Sequence, residues 1–416
     1  MRLPVFSPPL AREAMPSRPR VLWLSCVAHA MHDGYTDMIY ALLPVWQSEF
    51  GLDFAALAIL RGIYAGAMAA LQLPAGWLAQ RLGSRVTLAS GTLLAALGYA
   101  IAGMSGGLIG LCVALAISGS GSSTQHPIAS GAVSRTFGRD ARGPLSLYNF
   151  SGDLGKSILP AAISVLVTVM SWRHALWIVA AMGAIVAAVI VLMFPAVRRS
   201  AGTAAEAGTK PEAGAEAEAP PGQRGDRGGT GKRGFSTLFS IGVLDTAVRM
   251  GLLTFLPFLL AAKGISPKLL GTALALVFVG GAAGKFVCGW LGARMGVVRT
   301  VLFTEGGTAV SIVALIYLPL PLAMVLLPML GMMLNGTSSV LYGTVPELTA
   351  PEGAERAFAI FYTGTIASGA ISPVLYGFLG DGIGVQAATY ATALTALAIV
   401  PLALALRPHL ADDRTG

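Results

Sequence analysis

Apolar residues fall in long unbroken runs along this chain, separated by short polar stretches, without the strict alternation of a half-buried strand. The runs lie near 21–45, 54–79, 86–104, 107–134, 143–168, 174–196, 235–261, 268–292, 298–318, 321–346, 356–380 and 386–406. Most exceed the roughly 20 residues that cross a hydrocarbon layer of about 30 Å, and in hydrocarbon only helices satisfy their own backbone groups. The pattern predicts twelve transmembrane helices. It also repeats: GWLAQRLGSRVTL at 76–88 returns as GWLGARMGVVRTV at 289–301, an offset of 213. The predicted fold class is therefore an all-α membrane protein of two pseudo-symmetric six-helix bundles.

Composition agrees, because 55% hydrophobic and 12% charged residues exclude a water-soluble domain. Charge adds orientation. With the N-terminus inside, 21 of the 28 Lys and Arg fall on inner segments and only Arg173, Lys263 and Lys268 on outer loops, which predicts that both termini are cytoplasmic. The net charge of +8 is then a matter of topology, and nucleic acid is not an expected partner. Residues 197–234 are rich in Ala, Gly, Pro and Glu and read as a disordered cytoplasmic linker. The expected organisation is a tail at 1–20, an N-terminal bundle at 21–196, that linker, a C-terminal bundle at 235–406 and a tail at 407–416. Cys26, Cys112 and Cys288 lie inside spans and read as small packing residues.

Function is sought in the charges that interrupt the spans. Helix 1 carries His29, Asp33 and Asp37 at intervals of four, hence on one face; helix 5 carries Asp153 and Lys156; helix 7 carries Asp245 and Arg249. An offset of 212 maps Asp33 to Asp245 and Asp37 to Arg249, both near the midplane. Each unpaired charge there costs roughly 2.5–3.5 kcal/mol, and the six acids and bases together would cost roughly 15–20 kcal/mol against the ~5–15 kcal/mol that holds a protein folded. They must pair or line a wet cavity, and transporters built from repeats place their sites there. The alternative is that the pairs only clamp helices together. Burial favours a neutral carboxyl and a nearby cation favours a charged one. Asp33 beside Asp37, with His29 close by, is thus the expected proton carrier, while Lys156 and Arg249 suit an anionic or strongly polar cargo.

His126, Tyr148 and Asn149 are further candidates for the cavity wall. His126 precedes Pro127, which frees a backbone carbonyl and bends the helix; a packed or interfacial histidine is an equal reading. Lys285 reads as snorkelling to the headgroups, and Arg61 and Glu305 as residues near span ends. The repeated loops Gly76, Arg81, Gly83, Arg85 and Gly289, Arg294, Gly296, Arg299 suit gating, with glycines for the turn and arginines for neighbouring helix C-termini.

Two six-helix halves, a long central linker and the Gly/Arg loop after helices 2 and 8 resemble the major facilitator superfamily. His29, Asp33 and Pro44 within AHAMHDGYTDMIYALLPVWQSEFGL, with GSGSSTQHPIASGAVSR at 119–135, are similar to the fosmidomycin resistance protein group. The resemblance implies a proton-driven exporter in the bacterial cytoplasmic membrane. The chain departs from the family pattern at Gln80 and Ala293, where the loop normally carries an acid, at Leu115, where many drug antiporters carry Arg, and at Asp153 and Lys156, where the group has amides or hydroxyls.

The expected function is proton-coupled efflux of a small polar or anionic toxic compound by alternating access, with protons, a small molecule and lipid as partners and a monomer as the unit. Uptake or exchange of an organic anion is the alternative, and a non-transporting sensor or scaffold is the reading from another class. GGAAGKF at 280–286 lacks the first glycine and the hydroxyl of a phosphate loop and lies within a span. No spacing suggests a cofactor, a metal or a nucleophilic triad, so no enzyme activity is expected.

Overall fold

The computed structural model describes residues 18–195, 230–349 and 354–410. Most of the expected linker and most of both expected tails lie outside them. The first half contains α1 (Arg18–Phe50), α2 (Phe54–Ala70), α3 (Gln72–Leu82), α4 (Ser84–Ala102), α5 (Leu108–Ser122), α6 (Gly131–Phe137), α7 (Arg142–Val169) and α8 (Trp172–Met193). The second contains α9 (Thr230–Ala262), α10 (Pro267–Met295), α11 (Val297–Tyr317), α12 (Leu320–Thr344), α13 (Ala354–Ile383) and α14 (Val385–Leu406).

These helices make twelve spans, since α2 with α3 and α5 with α6 are each one broken crossing. Ten stretches are long and apolar enough to cross a membrane, and the α2/α3 pair, bent by 44°, makes another. Helix α1 is the twelfth. Its 33 residues are ample, but His29, His32, Asp33 and Asp37 interrupt its apolar character. The α2/α3 bend follows from Pro74, which has no N–H for the carbonyl of Ala70. In the α5/α6 span, Pro127 sits in a π-helical turn at His126–Ser130.

The duplication is visible in three dimensions. Helices α1 and α9 each have 33 residues, and a shift of 212 carries one onto the other end to end. Helix α9 accordingly begins at Thr230, five residues before the apolar run suggested. Asp33 and Asp245 are both sixteenth in their helix, near the middle of a rod about 50 Å long.

Tyr35, Tyr40, Trp46, Tyr64 and Tyr99 are fully buried in the first half, in an apolar cluster that continues into Leu252, Leu256 and Val277 of the second. Lipid-facing side chains such as Leu192, Phe286 and Val325 remain more than 70% exposed, an apolar belt that water would not tolerate. Helix α7 approaches α1 so closely that a Cβ on Gly155 would collide with the Ala30 carbonyl. Small residues allow such crossings where lipid supplies no hydrophobic drive to association.

Helix α7 packs on α10 and α2 on α13, two contacts that the internal symmetry exchanges. The halves also touch on the face away from the termini. There Asp381 at the end of α13 accepts hydrogen bonds from the backbone N–H groups of Phe54 (2.7 Å) and Ala55 (3.0 Å), so a carboxylate of one half caps a helix of the other. Phe54 also packs edge-on against Phe258, and Tyr40 donates to the Met250 sulfur at 3.4 Å.

Candidate functional site

Halfway along α1, Asp33 is the centre of a ring of bases from three elements. His29 Nε2 lies 3.4 Å and Lys156 Nζ 3.3 Å from Asp33 Oδ2, and His126 Nε2 lies 3.9 Å from Oδ1. His29 is placed by the four-residue period of α1, Lys156 by the close α1/α7 crossing at Gly155, and His126 by the π-helical turn. The His29 ring stacks on Tyr148 at 4.0 Å and meets the His126 ring edge-on at 5.2 Å.

The tautomer of His29 follows from its partners. Nδ1 is 2.8 Å from the Tyr148 carbonyl, which can only accept, so Nδ1 carries a hydrogen. Nε2 has no hydrogen-bond partner although the residue is only 3% exposed. In neutral His29 that nitrogen turns a lone pair toward the Asp33 carboxylate, an arrangement that one proton between them would repair.

The second acid of α1 points elsewhere. Asp37 Oδ1 lies 3.9 Å from Arg61 Nη2, and the Arg61 guanidinium sits over the rings of Tyr40 (5.2 Å) and Tyr64 (5.8 Å). The sequence reading of Arg61 as a residue near a span end is thereby corrected: at 5% exposure it is buried two turns into α2. His32 turns away from Asp33, with ring nitrogens 3.2 Å from Ser122 Oγ and 3.0 Å from Thr92 Oγ1.

Asp153 belongs to the seam between the halves. Lys285 of α10 donates to both of its oxygens at 2.7 and 2.9 Å, while Lys156 Nζ stands 4.0 Å away. Lys285 therefore does not snorkel; it reaches across the seam ten residues inside α10. Its side chain is 42% exposed, that of His126 41% and that of Lys156 30%, against 10% for Asp33 and 12% for Asp153. An ammonium at this depth facing oil is untenable, so the space beside these groups is aqueous in character. The side chains bordering it are bases, and the acids stand behind them.

In the second half Asp245 is 3% exposed, and the carboxyl of Glu305 from α11 lies beside it. Thr337 of α12 donates to Glu305 Oε1 at 2.6 Å, and its oxygen lies 2.8 Å from that of Thr304. Glu305, read from the sequence as near a span end, is 2% exposed and part of this cluster. Arg249 is half-buried one turn beyond Asp245, with Nε unpartnered.

Tyr148 is buried under His29, whereas Asn149 is exposed. The loop glycines divide. Gly83 and Gly296 take φ of 84° and 83°, which demands glycine, while Gly76 and Gly289 sit inside helices. Arg85 donates from Nε to the Val191 carbonyl in the last turn of α8, and Arg294 stacks over Trp290 of its own helix at 4.3 Å.

Ligand atoms of His29, Asp33 and His126 lie within 4.8 Å of one another, a spacing that could hold a metal ion. Lys156 already supplies the positive charge such an ion would bring, and its ammonium would repel one.

The chain is 24% identical over 161 residues to the fosmidomycin resistance protein of Escherichia coli (strain K12), covering 39% of this chain and 40% of that protein. It is 25% identical over 392 residues to a probable sulfoacetate transporter of Cupriavidus necator, covering 90% of each. A bacterial homologue of the human lysosomal transporter Spinster, solved inward-facing in occupied and unoccupied forms, superposes with TM-scores of 0.76 and 0.75 at 15% identity, over 96% and 97% of this chain and 99% of that one. The sequence model of the Major Facilitator Superfamily matches residues 25–233 and 238–415, and with twelve spans in two related halves the chain belongs to that superfamily of transporters.

Proposed function

We propose that the protein is a proton-coupled carrier of a small organic anion, working by alternating access around the Asp33 site. The observation that carries this reading is the arrangement of His29, Asp33 and Lys156: a proton seat on the buried side and a cation on the open side of one carboxyl. Asp33 and His29 take the proton. Asp37 with Arg61 tunes the same helix face. Lys156, Lys285, His126 and Arg249 present positive charge to the cargo, and Asp153 and Asp245 hold those bases in place. The Gly83 and Gly296 loops gate. The carrier acts as a monomer in the bacterial cytoplasmic membrane with both termini inside.

Both curated relatives are named for anionic compounds, which supports an anionic cargo. Export in exchange for protons is the reading nearest the resistance protein, and uptake with protons the one nearest the sulfoacetate transporter. The test is transport of small phosphonates and sulfonates into proteoliposomes under an imposed pH gradient. Wild-type protein should concentrate at least one of them, and Asp33→Asn should not; uphill movement that survives Asp33→Asn sinks the assignment.

A further inference from the structure

The charges at the midplane balance before any cargo arrives. Around Asp33 and the seam, the carboxyls of Asp33, Asp37 and Asp153 face the fixed cations Lys156, Lys285 and Arg61, three against three. In the second half the carboxyls of Asp245 and Glu305 stand side by side with Arg249 as the cation near them, a cluster with no positive charge to spare. Such a site has no positive charge left for an anion. Seating one leaves an uncompensated charge deep in a low-dielectric layer.

Lys156 shows how the conflict is resolved. Its ammonium stands between Asp33 (3.3 Å) and Asp153 (4.0 Å), and it borders the open space. An anion that engages Lys156 competes with the Asp33 carboxylate. A proton placed on Asp33, or between it and His29, removes the competitor and makes the site net positive by one, which the anion then cancels. The other groups around Asp33 act in the same sense. His29 on α1 and His126 on the π-helical turn become cations when protonated, His32 is held by Thr92 and Ser122, and Asp37 and Asp153 already face Arg61 and Lys285. A proton added anywhere in this ring strengthens the hold on an anion. Reciprocity then requires the anion to strengthen the hold on the proton by the same factor.

We propose that proton and anion occupy the site together, so that cargo moves with protons and not against them. This rests on the anionic-cargo reading above and adds to it the sense of coupling, which for an exporter by exchange would have to be the reverse. With protons driven inward, the cycle is uptake.

The test uses methanesulfonate, whose charge is constant with pH, beside acetate, sulfate and methylphosphonate. Thermal unfolding of the purified full-length protein is followed at increasing anion concentration from alkaline to acid pH. At least one anion should raise Tm, with an apparent affinity that tightens at least about tenfold as pH falls, within the range of ordinary linkage. Asp33→Asn, a fixed neutral version, should bind that anion tightly at every pH. Affinity that weakens on acidification, or is flat in the wild type, overturns co-occupancy and leaves the anionic cargo intact. If no anion stabilises the protein at any pH, the anionic cargo itself is overturned and the proposal with it. Should Asp33→Asn not fold, the wild-type pH series decides alone. In proteoliposomes, entry of the anion should acidify the lumen, and alkalinisation would contradict the proposal.

Discussion

A shift of 212 residues lays α1 on α9 and Asp33 on Asp245, yet the two aspartates have opposite surroundings. Asp33 faces His29, His126 and Lys156, two of which border open space. Asp245 faces another carboxyl, Glu305, closed in by Thr337 and buried to 3% exposure or less. Duplication fixed the depth of the acid. The helices packed against it, α7 and the π-helical turn in one half and α11 and α12 in the other, decided whether it stands among bases beside open space or against another carboxyl in a closed cluster. On the proposed reading, the difference puts proton coupling at Asp33 and leaves Asp245 to hold Arg249 in place.

The largest expected effect tests that division directly. Asp33→Asn should reduce transport driven by a pH gradient to the level of empty liposomes, whereas Asp245→Asn, in the closed cluster with Glu305, should transport at a rate within an order of magnitude of wild type. Equal collapse of both would mean that the halves share the coupling.

Stability separates the halves next. Lys156→Met leaves Asp33 buried with one cation fewer, and should cost about 3 kcal/mol, the low end for a broken buried pair because the lysine is 30% exposed. Adding Asp33→Asn should recover most of it, by chemical unfolding of the purified protein, without restoring transport. In the other half Thr337→Val removes only the hydroxyl donor to Glu305 and should cost about 1–2 kcal/mol with the pH response of transport unchanged. A larger loss from Thr337→Val than from Lys156→Met would invert the comparison.

Much of this was legible in the chain. Run lengths gave the twelve spans, the loop repeat gave the two halves, and the offset of 212 paired Asp33 with Asp245 before any fold was known. What was not legible was azimuth. Distance from the end of an apolar run gives depth within a turn or so, and it made Arg61, Lys285 and Glu305 look marginal. Their helices place them seven, ten and eight residues inside an end, and each faces a partner in another helix. The signal was present: Asp37 had no base within a turn of α1, and an acid at that depth demands one from elsewhere. Likewise Pro127 announced a disturbed helix, but only the π-helical turn shows that it aims His126 at Asp33.

The seam contributes a smaller effect. Asp381→Asn weakens the carboxylate cap that the second half places on α2, worth about 1 kcal/mol, or roughly a fivefold shift in a two-state ratio. Spin labels on the two halves at the face away from the termini should report more separated pairs in the variant, and an unchanged distance distribution would show that the cap is not a latch.

The smallest effect is expected in the repeated loops, where the halves differ again. Arg85 reaches from the start of α4 to the Val191 carbonyl in the last turn of α8, using its Nε–H and a close second contact from Nη2, so it ties two helices at a terminus whose dipole favours a cation. Arg294 instead lies over Trp290 four residues back in the same helix and ties nothing else through that contact. Arg85→Ala should therefore shift the balance between open and closed forms by about 0.3–1 kcal/mol, and high salt should erase most of it. Arg85→Lys should restore only part, because a single ammonium cannot reproduce two N–H groups from one planar fork. Arg294→Ala should leave the balance unchanged while loosening only the end of α10. Accessibility of single cysteines on the terminal face, compared at low and high salt, would measure all three variants, and a salt-sensitive shift from Arg294→Ala equal to that from Arg85→Ala would show that the second loop also bridges helices and that the asymmetry is confined to the midplane.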